Sequence, residues 1–305
     1  MRRKLAGLAT VVAASLALTA CGGSSDPLAG NNATGNPAPA DTIIVGSANF
    51  AESRLLAEIY AQALSAKGVK VEKKLGIGSR ETYFPGIQDG SIDLVPEYTG
   101  VLMQYIDKTK TATSSDEVYA ELKKVLPPTL TVLDKAAAED KDAVVITKDT
   151  AAKYNAKSIA DLTAHAGEIV FGGPPEFQQR PDGIPGLKER YGLNFKEYKS
   201  LEPGPITTKA LLDGDIQAAD IFTTDASIEQ NGLVVLDDPK NNFAAQNVVP
   251  VVNAKKASDV VKTTLNKISA KLDTKTLLDL NGKLASPDKP DASKVAQDWL
   301  ASAGI

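Results

Sequence analysis

The chain has 305 residues, a net charge of −4, a hydrophobic fraction of 43% and an aromatic fraction of 5%. One Cys (Cys21) and one His (His165) exclude an internal disulfide and a Cys/His zinc site, and leave a Cys–His or Ser–His catalytic pair only His165 to draw on. The length suggests about two globular domains, and the slightly acidic balance gives no basic footprint for nucleic acid.

Arg2, Arg3 and Lys4 form a positive start, followed by an apolar stretch from Leu8 to Leu18. That stretch falls short of the roughly 20 apolar residues of a membrane span and has the pattern of an export signal. Leu18-Thr19-Ala20-Cys21 resembles the bacterial lipoprotein box. The resemblance implies that residues 1–20 are a lipoprotein signal peptide and that Cys21 carries the lipid, with more than one acyl tail for stable anchoring. Residues 21–40 are rich in Gly, Ser, Asn, Pro and Ala. They have little to bury and are expected to form a disordered tether.

Residues 42–45 are β-branched and read as a strand. Asn49 and Glu52 have capping-box spacing, and Leu55, Leu56, Ile59, Tyr60, Ala63 and Leu64 follow at helical spacing until Gly68. Residues 69–73 read as the next strand, and this β-α-β unit favours a parallel sheet. Further short strands are expected at 92–95, 143–147, 169–171, 218–222 and 233–236. Ser158 and Asp161 mark another capping box. Beyond Ala257 the pattern is helical, with Trp299 assigned to core packing of the last helix and His165 to an idle, solvent-facing helix end.

One echo organises the chain. Asp89-Gly90-Ser91-Ile92 leads to Tyr98-Thr99, and Asp213-Gly214-Asp215-Ile216 leads to Phe222-Thr223. In each case Asp-Gly ends a helix, a strand follows, and an aromatic-Thr pair stands near the strand's carboxyl end, where open α/β sheets bind ligands. Two such lobes face to face would each give one ring to a shared cleft.

Gly46-Ser47-Ala48-Asn49-Phe50-Ala51-Glu52, Pro96-Glu97-Tyr98-Thr99-Gly100, the segment from Glu176 through Arg180 to Leu187, and Phe222-Thr223-Thr224-Asp225 together resemble substrate-binding proteins of osmoprotectant ABC importers. This is the glycine betaine, choline and carnitine class. The resemblance implies an α/β, two-lobed class II periplasmic-binding-protein fold with the ligand cleft between the lobes. Lobe I would comprise 41–145 plus 252–305 and lobe II 146–251, with hinge crossings near 143–147 and 248–252. It implies Tyr98 and Phe222 as rings around a quaternary ammonium group, Arg180 for a carboxylate and Thr99 as a hydroxyl donor. Thr223, Asn49, Ser47 and Asp142 complete the expected ligand-binding set. Phe222 and Asp142 stand where the family often carries Tyr, and Ala48 where it often carries Lys. Expected partners are a small quaternary-ammonium or other polar ligand, a permease with its ATPase, and the membrane through the lipid anchor. The protein is expected to be an extracytoplasmic monomer without cofactor, metal or nucleic acid. The alternatives are a different polar or aromatic cargo on the same fold, a structural lipoprotein, or an exported enzyme. An enzyme would use carboxylate pairs such as Glu97 with Asp93 or Glu176 with Asp182, but no Gly-x-Ser-x-Gly, metal-ligand cluster or phosphate-cradling loop accompanies them.

Overall fold

The computed structural model describes residues 41–305. The expected export signal and tether, with Cys21, lie outside the described residues.

The first part of the chain runs β1 (Thr42–Gly46), α1 (Ala51–Ala66), β2 (Lys70–Lys74), α2 (Arg80–Asp89), β3 (Leu94–Tyr98), α3 (Thr99–Ile106), α4 (Ser115–Val125) and β4 (Leu130–Val132). A second set follows: β5 (Val144–Ile146), α5 (Lys148–Tyr154), a 3₁₀ helix (Ile159–Glu168), β6 (Val170–Gly173), a 3₁₀ turn (Pro175–Gln178), α6 (Ile184–Tyr191), β7 (Glu197–Ser200), α7 (Pro205–Leu212), β8 (Ala218–Asp220), α8 (Ser227–Asn231) and β9 (Val234–Val235). The chain then returns through β10 (Val248–Asn253) and ends in α9 (Asp259–Ser269), α10 (Thr274–Leu284) and α11 (Ala292–Ala303).

These strands make two five-stranded sheets, ordered β2-β1-β3-β10-β4 and β7-β6-β8-β5-β9. The orders match position by position. In the first sheet β1 is parallel to β2 and β3, while β10 is antiparallel to β3 and β4. In the second, β6 is parallel to β7 and β8, while β5 is antiparallel to β8 and β9. The parallel expectation from the first β-α-β unit therefore holds for the βαβ strands. The sheets are mixed because β5 and β10 are the strands by which the chain enters and leaves the second lobe, and each must run backward. Buried on both faces, β1 and β3 carry apolar side chains at nearly every position, as strands sandwiched between helices must.

Each sheet has a core on either face. The largest packs α1 against α9, α10 and α11, and Trp299 is buried in it as expected. The others hold Phe84, Ile87 and Leu102 in the first lobe, and Phe171, Phe177 and Phe243, then Val145, Leu211 and Ile216, in the second.

Several local expectations change. The Asn49–Glu52 capping box does not form: α1 has Phe50 at its N-cap with no side-chain cap, and both polar side chains reach distant partners instead. The Ser158–Asp161 box does form, at the start of a 3₁₀ helix. Strand β3 runs on through Pro96 to Tyr98 because Pro96 sits opposite Pro250 in β10. Two facing prolines in an antiparallel pair fit a position where neither N–H is asked for by the other strand. The crossings also shift. Val144–Ile146 lies in the second sheet and Val248–Asn253 wholly in the first, so the sheets are joined by residues 133–143 and 236–247. The two connections run side by side, with an antiparallel bridge between Glu139 and Asn247 and a hydrogen bond from Asp140 N to Gln246 O at 3.1 Å. Among the described residues no helix is long and apolar enough to cross a membrane.

Candidate functional site

A cavity of about 50 Å³ lies between the two sheets, at the carboxyl ends of β1, β3, β6 and β8 and against the paired crossings. Ala48, Asn49 and Phe50 reach it from the end of β1, Tyr98 from β3, Pro174 from β6, and Phe222 from just beyond β8. Asp140, Asp142 and Gln246 come from the crossings.

Three rings converge there. Phe50, heading α1, stands 6.0 Å from Tyr98 and 5.2 Å from Phe222, centroid to centroid. The echo in the sequence accounts for two of them. After α2 and after α7 the chain turns through Gly90 (φ 85°) and Gly214 (φ 80°), a left-handed conformation glycine adopts without steric cost. Each turn leads into a central strand and carries an aromatic to the cleft. Tyr98 is held from behind: its hydroxyl donates to Glu52 at 2.6 Å. Thr224 of the second lobe donates to the same carboxylate at 2.6 Å, and Asn281 of α10 also donates to it. Burial raises the Glu52 carboxyl above its ordinary value, and these three donors oppose that rise.

Two arginines frame the cavity differently. Arg80, 6% exposed, forks both oxygens of Glu97, 1% exposed, at 2.8 and 2.7 Å. Glu97 also accepts the Tyr83 hydroxyl at 2.6 Å. Arg180 belongs to the second lobe and reaches across to Glu81 of α2, its Nε and Nη2 at 3.2 and 3.1 Å, with Glu176 at 3.7 Å. Burial alone would raise the Glu81 carboxyl, but its pairing with Arg180 outweighs burial and brings it down to about 2. Asp140 and Asp142 are both raised by burial. The Glu52 charge adds to the rise at Asp140, whereas Arg180 and Arg80 oppose it at Asp142. Gln246 uses its Oε1 to accept Val101 N at 2.9 Å, and its buried Nε2 has no protein partner.

Of the residues expected to bind ligand, Tyr98, Phe222, Arg180, Asn49 and Asp142 line the cavity together. Asn49 also spans the lobes, donating to Glu202 at 3.2 Å. Ser47, Thr99 and Thr223 do not line it. Where the chain turns at a strand end it leaves backbone groups to satisfy, and these hydroxyls satisfy them. Ser47 donates to Ala48 O and accepts from Gly76 N. Thr99 donates to Ala245 O and accepts from Asn247 N, and Thr223 accepts from Lys141 N. His165 lies in the last turn of its 3₁₀ helix, half-buried, with its ring stacked on Tyr154 at 4.5 Å. In the first carboxylate pair of the enzyme alternative each member has its own partner. Glu97 is bound to Arg80, and Asp93 accepts from Ile44 N at 3.0 Å. Among the described residues no group of three His, Cys, Asp or Glu could hold a metal ion. Sequence reasoning missed Phe50, Arg80, Tyr83 and Gln246. Phe50 stands inside a motif already singled out, but nothing local marked its side chain, or that of Arg80, as cleft-facing.

Residues 41–302 match the family model described as the substrate binding domain of ABC-type glycine betaine transport systems. The glycine betaine-binding protein YehZ of Escherichia coli (strain K12) is 29% identical over 280 residues, covering 87% of this chain and 92% of that protein. The ergothioneine transport permease/binding protein EgtU of Helicobacter pylori (strain G27) is 27% identical over 269 residues; these span 86% of this chain and 48% of EgtU, about half its length. Among solved structures, apo YehZ of Escherichia coli has a TM-score of 0.61 at 29% identity, covering 87% of this chain and 99% of that one. A glycine betaine/carnitine/choline ABC transporter structure has a TM-score of 0.67 at 21% identity, covering 86% of this chain and 98% of that one, a likeness of fold.

Proposed function

The chain belongs to the family of substrate-binding domains of ABC-type glycine betaine transport systems, and from that premise we propose how it holds and delivers its ligand. It is a substrate-binding protein of an ABC importer for ligands of the glycine betaine, choline and carnitine type. The observation that carries the finer reading is the meeting of three rings, from both lobes, around one cavity with Arg180 in its wall.

A trimethylammonium group donates no hydrogen bond, so it is held by aromatic faces, each worth roughly 0.5–2 kcal/mol. Phe50, Tyr98 and Phe222 supply those faces, and the buried Asp140 and Asp142, whose carboxyls burial draws toward the neutral form, line the same cavity. A betaine carboxylate suits a guanidinium fork and an amide donor. Arg180 and the unpartnered Nε2 of Gln246 stand in the same cavity wall. Glu81 already occupies two nitrogens of Arg180, so a ligand carboxylate shares Arg180 with Glu81 or replaces it. Tyr98 and Phe222 come from opposite lobes, so binding draws the lobes together about the paired crossings, and the closed form is the one that docks on the permease. The protein works outside the cytoplasm, held by lipid on Cys21 through the 21–40 tether.

Titration calorimetry of the purified chain with glycine betaine, choline and carnitine tests this reading. Saturable binding of at least one is expected, and no heat from any at millimolar concentration overturns it.

A further inference from the structure

Tyr98 and Phe222 come to the cavity from different lobes, and one buried side chain is bonded to both sides. Glu52 lies in the first turn of α1 and is 5% exposed. Its Oε1 accepts the Tyr98 hydroxyl and its Oε2 the Thr224 hydroxyl, each at 2.6 Å. Tyr98 closes β3 of the first lobe, and Thr224 stands two residues beyond Phe222 in the second. Each carboxylate oxygen thus answers to one lobe and one ring.

A lone carboxylate at this depth would be costly, so its donors matter. The short O–H···O contacts are of the charge-assisted kind. Asn281 of α10, a helix packed in the same core as α1, adds a third donor to Oε2. The Asn281 amide also donates to Thr224 O at 3.1 Å. Thr224 is therefore gripped at its hydroxyl by α1 and at its carbonyl by α10.

The segment that carries Phe222 has little freedom of its own. Ile221 N donates to Ala143 O at 3.1 Å, Thr223 N to Lys141 O at 2.9 Å, and Thr224 N to Asp140 Oδ1 at 3.1 Å. Phe222 is carried on the first crossing, and its ring follows wherever Thr224 is held. Two other contacts span the lobes, Asn49–Glu202 and Arg180–Glu81, and each ends on an exposed carboxylate where water competes. The Glu52–Thr224 contact is buried at both ends. It can hold a spacing that the exposed contacts cannot.

We propose that Glu52 is a positioning residue for ligand capture, a buried index that sets the rings of Tyr98 and Phe222 at one fixed spacing when the lobes close. This rests on the reading of the cavity as an aromatic site for a quaternary ammonium group. Such a site gains from rings held ready, because the attraction weakens as a ring drifts from the cation. The contacts form a chain from Phe222 through Thr224 and Glu52 to Tyr98. Cutting any link of a chain releases the register between the rings, and cutting a second link releases nothing more.

The test is calorimetry with choline and with glycine betaine on the full chain as parent, Tyr98→Phe, Thr224→Val, the two combined, and Glu52→Gln. Tyr98→Phe keeps the ring and Thr224→Val keeps the branched shape, so each removes one hydroxyl, on opposite lobes. Each should weaken a bound ligand about fivefold, the order of one hydrogen bond. The combined variant should also stay near about fivefold, against the roughly 25-fold of independent losses. Glu52→Gln should weaken binding at least as much, and adding Thr224→Val to it should cost under about twofold more. If Glu52→Gln does not fold, the two hydroxyl variants decide alone. A role confined to packing would lower melting temperatures and leave the affinities unchanged or the losses multiplicative. Either of those outcomes overturns the index and leaves the aromatic site standing. Failure of both ligands to bind the parent overturns the two together.

Discussion

The two lobes share a strand order and differ in how they hold what they bring to the cleft. In the first lobe Tyr98 is pinned by its hydroxyl to Glu52, and Arg80 is locked within its own lobe onto Glu97. In the second lobe Phe222 has no hydroxyl to pin, and Arg180 leaves its lobe to meet Glu81. Topology thus places a ring and an arginine on each side, and the side chains decide how firmly each is fixed. The first lobe presents a rigid wall. The second presents a ring held by packing and a cation whose partner lies across the gap.

The sharpest way to break this contrast is to compare the arginines. Arg80→Ala strands the buried Glu97 charge and should cost about 3–5 kcal/mol in urea unfolding. Arg180→Ala, a partly exposed pair, should cost about 1 kcal/mol or less. Similar costs would erase the distinction. Next are the rings. Tyr98→Ala should weaken binding of a quaternary ammonium ligand by roughly tenfold, the loss of one good cation–π face, with the fold intact by circular dichroism. Unchanged affinity would remove Tyr98 from the site.

The third comparison is a pH series. Burial pushes Asp182 up to about 7, with the nearby Asp142 charge adding to the rise. Because its folded value lies above the ordinary one, the stability it contributes is fully present below about pH 4 and is lost as pH rises through about 7. Asp182→Asn should therefore gain on the parent between pH 5 and pH 8 by at least about 3 °C in Tm, the shift of roughly 1 kcal/mol in a protein of this size. A constant offset across that range would show that Asp182 does not titrate there. The smallest effect sharpens the role of Arg180. In Arg180→Ala, affinity for glycine betaine should fall several-fold more than affinity for choline, which has no carboxylate, and equal losses would count against a carboxylate contact.

What could be read from the sequence was what is local or repeated. The Asp-Gly turns, the strands that follow and the rings they deliver are close in sequence and occur twice, so pattern alone reached Tyr98 and Phe222. Glu52 shows the opposite case. Its spacing from Asn49 satisfies a capping box, yet its partners lie 46, 172 and 229 residues away, and burial makes those contacts decisive. Ser47, Thr99 and Thr223 stand in the right motifs, but strand-end backbone groups take their hydroxyls. The run of β3 to Tyr98 was hidden because Pro96 speaks against a strand until its partner Pro250 is known. Phe50 had no signal beyond membership of a motif, since its role depends on the second lobe arriving beside it.

The side-by-side crossings carry one more consequence. The Asp140–Gln246 hydrogen bond and the Glu139–Asn247 bridge tie the two connections into a short ribbon. Two strands bonded to each other cannot slide independently, so their two anchor points define an axis. Rotation about that axis is the soft movement left to the lobes, and shear between them is stiff. Tyr98 and Phe222 therefore separate and meet along a single arc, like facing pages of a book, and return to the same alignment each time the cleft shuts.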